Sequence, residues 1–243
     1  MLRDDLRCMF YIAIKDLRAY YFKPPNISWG ILFPFAFVLA FALRNPGDTR
    51  SLVPGLLGLT LLFGTSSMEA IVIIFERRIG SLERLMLAPV SLGALLGGKI
   101  LGGMAFGLTV TGVVLAVALG IFGAGSVNWL LLAVALLLSS AAFAALGAFV
   151  SVAVREIFEA QTLANFVRFP MMFLGGVFTP LAVMPISLQV IARLLPLTYT
   201  VEALRAALNG GSLQSAWLDL AALAGFTIVL FAPAVYILGR RTQ

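Results

Sequence analysis

Residues 52–75 read LVPGLLGLTLLFGTSSMEAIVIIF and run directly into the charged segment ERRIGSLERLMLAPVS at residues 76–91. The apolar run has the length of a membrane-spanning helix, which needs about 20 residues to cross a bilayer's hydrocarbon. A second long apolar run follows the charged segment. The pattern predicts two spanning helices joined by a short ionic connection.

The composition of the whole chain extends this prediction. Hydrophobic residues make up 61% of the 243 residues and charged residues only 12%, and the mean hydropathy is +1.03. These values lie outside the range of soluble globular domains. Six apolar runs are predicted to span the membrane: 27–43, 52–75, 99–122, 128–154, 162–178 and 217–238. A closed β-barrel would instead show alternating segments of about 10 residues. We therefore predict an all-α polytopic membrane protein that forms one domain over residues 1–243.

Several kinds of chemistry are excluded by residue usage. The chain has no histidine and a single cysteine, Cys8, which excludes an intrachain disulfide, a histidine metal site and histidine base catalysis. No catalytic or metal-binding residue is predicted. The connections between spans are too short to hold a second hydrophobic core. Any energy source must therefore be another chain or an ion gradient.

The predicted orientation follows from the lysines and arginines. Most of the 17 fall in the terminal segments and in the connections on one side. The positive-inside rule places both termini and residues 76–91 in the cytoplasm. The net charge of +6 thus indicates topology and attraction to anionic lipids rather than nucleic-acid binding.

Residues 4–22 are predicted to form an amphipathic helix that lies along the cytoplasmic membrane surface. Its polar face carries Arg7, Lys15 and Arg18, and its apolar face carries Leu6 and Phe10 among others. Two roles remain open: a simple anchor, or a lever that transmits a partner's movement to the first span.

Residues 179–216, on the outer side, are divided by Pro180, Pro185 and Pro196 and by the sequence Asn-Gly-Gly at residues 209–211. This predicts two helical pieces of about ten residues, each too short to cross a bilayer. They form either a re-entrant helical hairpin or a cap on the outer mouth. Glu202 and Arg205 lie three residues apart on the polar side of the second piece.

The charged segment itself predicts a helix of about two turns over residues 80–88. Ser81 can cap its start, Glu83 favours its first turn, and Pro89 prevents it from continuing. Such a helix suits a groove on another protein, where paired charges fix orientation. A solvated loop is the alternative.

This segment resembles the loop signature of ABC type-2 permeases, the membrane subunits of a class of ATP-driven exporters. The matching residues are ERRIGSLERL at 76–85, APVS at 88–91 and Gly-Lys at 98–99. A second block is similar to the carboxy-terminal half of the family: FLGGVFTP at 173–180, Met-Pro at 184–185, LPLTY at 195–199 and EALR at 202–205.

The resemblance implies a homodimer, or a pair with a similar subunit, docked on two separate ATPase subunits that bind ATP and Mg²⁺. No cofactor is expected in this chain itself. The segment would be the coupling helix, and its partner-contacting residues would be Glu76, Arg77, Arg78, Gly80, Ser81, Glu83, Arg84 and Leu85. The resemblance further implies a prokaryotic plasma-membrane exporter, most similar to daunorubicin-type drug and lipid exporters. Polysaccharide and glycolipid exporters share the layout.

Charges and apolar side chains within the spans complete the predicted site. Glu69 and Arg168 lie at similar depth and are predicted either to pair, within a subunit or across the dimer, or to reach cytoplasmic water separately. Candidates for a lipophilic substrate path are Phe63, Phe166, Met171, Met172 and Phe173, which otherwise pack or face lipid. An alternative class is an ion-coupled secondary transporter that uses Glu69, Glu156 or Glu159. The glycine pairs 98/102 and 103/107 predict close helix packing.

Overall fold

The computed structural model describes residues 2–23, 50–87, 90–123 and 126–240, with a few single positions between 32 and 43. Within these residues the chain is all-helical, as predicted. The helices are α1 (Leu2–Asp16), α2 (Val53–Arg78), α3 (Ser81–Met86), α4 (Leu92–Phe122), α5 (Trp129–Ala153), α6 (Ile157–Leu174), α7 (Ile186–Ala192), α8 (Pro196–Leu208) and α9 (Trp217–Arg240). A π-helical turn, Leu17–Tyr21, extends α1, and short 3₁₀ turns lie at Arg50–Leu52 and Leu181–Val183.

Four of the described helices, α2, α4, α5 and α9, are long and apolar enough to cross a membrane. They correspond to the predicted spans 52–75, 99–122, 128–154 and 217–238. The predicted span 27–43 lies outside the described residues except for single positions. Helix α6 overlaps the predicted span 162–178 but is not among the four, and it contains Arg168 and Pro170. The described part of the chain thus contains four candidate membrane spans.

Helix α4 begins seven residues before the predicted start of its span. The Ser91 hydroxyl accepts a hydrogen bond from the Ala94 N–H at 3.2 Å and caps the helix. Serine is a favoured residue at this helix position. The earlier start places Lys99 inside the helix, where it is completely buried, rather than at its end.

Helix α5 lies at the centre of the bundle and packs against α2, α4, α8 and α9. Its middle is lined with small buried residues, including Ala144, Ala145 and Ala148. Gly147 allows the closest approach, since a Cβ at this position would lie 2.6 Å from the Ser66 backbone oxygen of α2. Close packing of α2 on α5 thus depends on the absence of a side chain at residue 147.

Helix α4 uses two glycine faces. A Cβ at Gly98 would lie 2.9 Å from Met9 Cα on α1, and Gly102 faces Ala13 of α1. Gly103 and Gly107 face α2, where a Cβ at Gly107 would lie 2.7 Å from Thr65 Oγ1. The predicted packing role of both glycine pairs is confirmed. Helix α1 therefore packs directly along α4.

The segment before α9 contains two helical pieces, as predicted. Helix α7 is largely exposed, whereas α8 is mostly buried and packs against α2, α5 and α9. Pro180 and Pro185 are exposed, while Pro196 is buried at the start of α8. The Arg205 guanidinium Nη2 donates to the Gly176 carbonyl at 3.1 Å and so ties α8 to the end of α6.

Candidate functional site

Helix α3 is the short helix that the charged segment predicts, and it ends at Met86 rather than at 88. Its cap is Gly80, whose φ of 71° reverses the chain directly after α2. The prediction that Ser81 caps the helix is therefore wrong, because Ser81 is already its first helical residue. A left-handed backbone at residue 80 favours glycine, which has no Cβ to clash.

One face of α3 is held by the bundle and the other faces outward. Leu82 is 1% exposed, and Leu85 and Met86 pack half-buried against the same apolar cluster, which also contains Ile12, Leu95, Leu96 and Leu238. Glu83 and Arg84 are exposed, and so are Arg78, Ile79 and Leu87 at the two ends. The helix thus presents an acid and a base to solvent on a fixed support.

The Arg77 side chain contacts the backbone of the protein itself. Its Nη2 donates to the carbonyl oxygens of Val154 at 2.8 Å and Arg155 at 3.0 Å. These carbonyls follow the last turn of α5, where helical partners are lacking. Arg77 therefore connects the α2–α3 corner to the connection between α5 and α6.

That second connection is itself ordered by Glu159. Its Oε2 accepts from the N–H groups of Arg155 at 3.1 Å and Glu156 at 3.3 Å, which forms a capping box at the start of α6. Phe158 projects from this turn and is 84% exposed. The connection that Arg77 contacts therefore leads into a capped helix start with an exposed aromatic side chain.

Replacing Arg77 with Gln is expected to destabilise the α5–α6 connection by about 1–3 kcal/mol, because two helix-end carbonyls lose a charged donor. Limited proteolysis should show faster cleavage near residues 154–158. Arg78→Gln, which removes the adjacent exposed charge, is the matched control. If both variants are cleaved equally fast, Arg77 does not stabilise the connection between α5 and α6.

Four charged side chains form a closed ring where α1, α2 and α4 meet: Lys15, Asp16, Glu76 and Lys99. The Lys99 ammonium contacts Asp16 Oδ2 at 3.1 Å and also Glu76 Oε2. The Lys15 ammonium lies 2.9 Å from Asp16 Oδ1 and contacts Glu76 Oε1. Each carboxylate therefore meets both ammonium groups. We call this arrangement the ionic ring.

The ionic ring is buried and balanced in charge. Asp16, Glu76 and Lys99 have no exposed surface, and only Lys15 reaches solvent, with 39% of its side chain exposed. Buried charges are tolerated when they are paired and hydrogen-bonded. Two positive and two negative groups in alternation pair every charge of the ring without an outside ion.

The ring changes the pKa values of the two α1 residues. Burial raises the pKa of Asp16, and the positive charge of Lys99 offsets this only in part. Burial also acts to lower the pKa of Lys15, but its hydrogen bond to Glu76 and the charge of Asp16 outweigh burial and raise it. Lys15 therefore stays protonated and belongs to the ring.

The ring corrects two expectations. Glu76 was predicted to contact a partner, but its carboxylate is buried between Lys15 and Lys99 and points into the chain. Lys15 was placed on a membrane-surface face with Arg7 and Arg18; those two are exposed, whereas Lys15 points to α2. The available signal is the pair Lys15-Asp16 and the single Lys99 in apolar surroundings, but their association is not predictable from the sequence.

Glu69 and Arg168 do not pair within this chain. The Tyr21 hydroxyl donates to Glu69 Oε2. Arg168 Nε donates to Ser66 Oγ at 2.9 Å, and its guanidinium carbon lies 5.8 Å from the centre of the Phe63 ring. Both charged side chains are buried, so neither reaches water in this structure. The predictions that Glu69 and Arg168 pair within one chain or reach cytoplasmic water separately are therefore both wrong. Pairing of the two residues across a dimer stays a prediction.

The candidates for a substrate path differ in burial and fall into three groups. Met171 and Met172 are buried in the apolar core and serve packing, which corrects their assignment to a path. Phe63 is half-buried beneath Arg168. Phe166 and Phe173 are 77% and 53% exposed along α6. An open groove of about 590 Å³ also follows α6 and is lined by Phe158, Glu159, Thr162, Leu163 and Phe166.

Comparison with known proteins agrees with this arrangement. The profile of the ABC-2 type transporter family matches residues 8–209. The inner membrane transport permease YadH of Escherichia coli (strain K12) is 27% identical over 154 residues, which cover 63% of this chain and 60% of YadH. Nodulation protein J of Rhizobium leguminosarum bv. viciae is 29% identical over 150 residues, covering 60% of this chain and 58% of that protein.

The matched region thus spans about 60% of the length of these relatives. The family profile itself covers most of this chain, including the second half of α1, the α2–α3 corner, α7 and α8. The chain belongs to the ABC-2 type transporter family.

Proposed function

We propose that this chain is the permease subunit of an ATP-driven exporter in a prokaryotic plasma membrane. The observation that carries the proposal is α3, which is anchored by Leu82 and presents Glu83 and Arg84 to solvent. ATP and Mg²⁺ bind to two separate ATPase subunits, since the chemistry of ATP hydrolysis is not expected in this chain. The proposed topology has six spans with both termini in the cytoplasm.

The proposed ATPase contact includes fewer residues of the α2–α3 corner than the sequence predicts. It comprises the exposed or half-exposed residues of the corner and helix: Arg78, Gly80, Ser81, Glu83, Arg84 and Leu85. Glu76 is left out because it is buried in the ionic ring, and Arg77 because it is bound to the α5–α6 connection. Phe158, which is exposed after the connection that Arg77 contacts, is proposed to add an apolar contact.

A second permease subunit is proposed to cover α6. Phe166, Phe169 and Phe173 are exposed on this helix, and a homodimer would place two such faces around a shared path. This apolar surface supports a drug-like compound or a lipid as substrate. A polysaccharide or glycolipid remains the alternative, because Nodulation protein J and YadH share similar identity with this chain and neither name states a substrate.

The double substitution Glu83→Ala/Arg84→Ala tests the proposal. We expect it to weaken binding of the purified ATPase to the chain in lipid nanodiscs at least about tenfold, because exposed charges on an anchored helix fit a complementary groove. The ATPase to use is the ABC ATPase that co-purifies with the unmodified chain. Arg193→Ala, which removes an exposed charge at the end of α7, is the control and should bind like the unmodified chain.

Two results would contradict the proposal. One is equal ATPase binding by the double variant and the control. The other is transport of a fluorescent amphiphile in proteoliposomes that continues without ATP and responds to a proton gradient, which would favour the ion-coupled alternative and direct attention to Glu69, Glu156 and Glu159.

A further inference from the structure

We propose that the ionic ring is a mechanical joint that makes α1, the end of α2 and the start of α4 move as one body. This inference rests on the proposed function, since it concerns how a displacement of α3 reaches the remainder of the chain. Glu76 lies in the last turn before α3, and Lys99 lies two turns into the helix that follows it. Their contact closes the α2–α3–α4 corner at its base.

The ring fixes α1 to this corner in one register. Lys15 and Asp16 are adjacent, and each contacts a charge of the opposite sign on another helix. Sliding α1 by one helical turn, about 5.4 Å, would break both contacts and leave unpaired charges in a buried space. Apolar packing alone is non-directional and would tolerate such a slide better.

A second contact prevents α1 from pivoting about the ring. The Tyr21 hydroxyl donates to Glu69, which lies seven residues before Glu76 and therefore about 10 Å further along α2. Gly103 of α4 leaves the space for this contact, because a Cβ there would lie 2.6 Å from Glu69 Oε2. The extended α1 is thus attached to α2 at two levels.

The π-helical turn at Leu17–Tyr21 explains how Asp16 can join the ionic ring while Tyr21 reaches Glu69. In an α-helix, residues five apart point in different directions, whereas the i→i+5 bonding of a π-helix brings them onto one face. The Phe22 N–H donates to the Leu17 carbonyl at 3.3 Å, which is such a bond. The wider turn allows Asp16 to contact Lys99 of α4 while Tyr21 contacts Glu69 of α2 and Phe106 of α4. A rare local geometry is therefore used to make two attachments.

Close backbone packing completes the unit. Gly98 and Gly102 bring α1 onto α4 with the Met9 and Ala13 backbones in contact distance. With the register set by the ring, the two helices have little room to separate or rotate. A partner that pushes α3 would then displace α1, α2 and α4 together.

The test measures a distance between spin labels on α1 and α4 in lipid nanodiscs. The labels are placed at Tyr11→Cys and Val113→Cys, both exposed positions, in a Cys8→Ser background. Labelled subunits are diluted with unlabelled ones so that only the distance within one subunit is measured. With the native ring, we expect one narrow distance distribution that is unchanged when the ATPase and ATP are added. In the apolar variant Glu76→Leu/Lys99→Met, we expect a broader distribution that shifts on ATP addition. Lys23→Met, which removes an exposed charge after the turn, should keep the narrow distribution.

A second variant guards against failure of the apolar variant to fold. Lys15→Glu/Asp16→Lys/Glu76→Lys/Lys99→Glu inverts every charge and keeps the alternation, so it should restore the narrow distribution. The joint is overturned if the unmodified chain itself changes this distance with ATP, if the apolar variant keeps the narrow distribution, or if the folded inverted ring gives a broad one. Loss of ATPase binding by the unmodified chain would instead refute the proposed function, while the widths without ATPase would still test the ring.

Discussion

The single substitution Lys99→Met is expected to lower the free energy of unfolding by about 3–5 kcal/mol, the range seen when one partner of a buried ion pair is removed. Asp16 and Glu76 would remain buried with Lys15 as the only cation of the ring. The methionine fills a similar volume, so loss of packing contributes little. Unfolding by SDS from mixed micelles measures the change.

A double substitution tests whether charge balance, rather than each separate contact, determines the stability of the ionic ring. Adding Glu76→Leu to Lys99→Met removes one charge of each sign. The remaining ion pair, Lys15 and Asp16, has no net charge. Buried ion pairs can be replaced by apolar residues with little loss of stability. The double variant should therefore be more stable than Lys99→Met alone, and a double-mutant cycle gives the coupling free energy. Additive losses would show that charge balance does not govern this site.

The long helices could be predicted from the sequence because their signal is local. The length of an apolar run can be read from the sequence without knowing which helices it packs against. Four of the six predicted spans therefore correspond to the four helices, among the described residues, that are long and apolar enough to cross a membrane. Helices α7 and α8 could also be predicted, because Pro185, Pro196 and Gly210 interrupt the chain in ways that few other residues do. The Ser91 cap is a contact between residues three apart.

The ionic ring could not be predicted from the same signals because it depends on which helix faces which. A helical wheel correctly places Lys15 on the polar face of α1. It does not reveal that this face meets α2 and Lys99 rather than water and lipid headgroups. Lys99 was assigned to the edge of a span, where a lysine commonly reaches the interface. The earlier start of α4 makes it a core residue.

Glu69 and Arg168 show the same limit. Depth along a helix follows from 1.5 Å per residue, and on depth alone the two charges could meet. Direction around the helix is decided by packing, which turns Glu69 toward Tyr21 and Arg168 toward Ser66 and Phe63. The π-helical turn that positions Tyr21 has no sequence signature of its own. The motifs therefore identified the segments, and the tertiary contacts assigned the partners.

Gly147→Val is expected to destabilise the bundle by about 3 kcal/mol, the upper end of the range for overpacking. A Cβ at this position would lie 2.6 Å from the Ser66 carbonyl oxygen and 2.8 Å from Glu69 Cβ. The first of these is backbone, which cannot move away without displacing α2. Since α2 also carries the acceptor of the Arg168 hydrogen bond, the change should disturb that contact too.

Gly112→Val is the matched control, because a Cβ at Gly112 of α4 meets no atom within 4 Å. Both substitutions place the same β-branched residue in a helix interior, so intrinsic helix propensity cancels in the comparison. The difference between the two SDS unfolding free energies then reports the α2–α5 contact alone. If Gly147→Val is as stable as Gly112→Val, α2 and α5 can separate at little cost. In that case their packing could not hold Ser66 and Glu69 in place, and the contacts to Arg168 and Tyr21 would have to do so themselves.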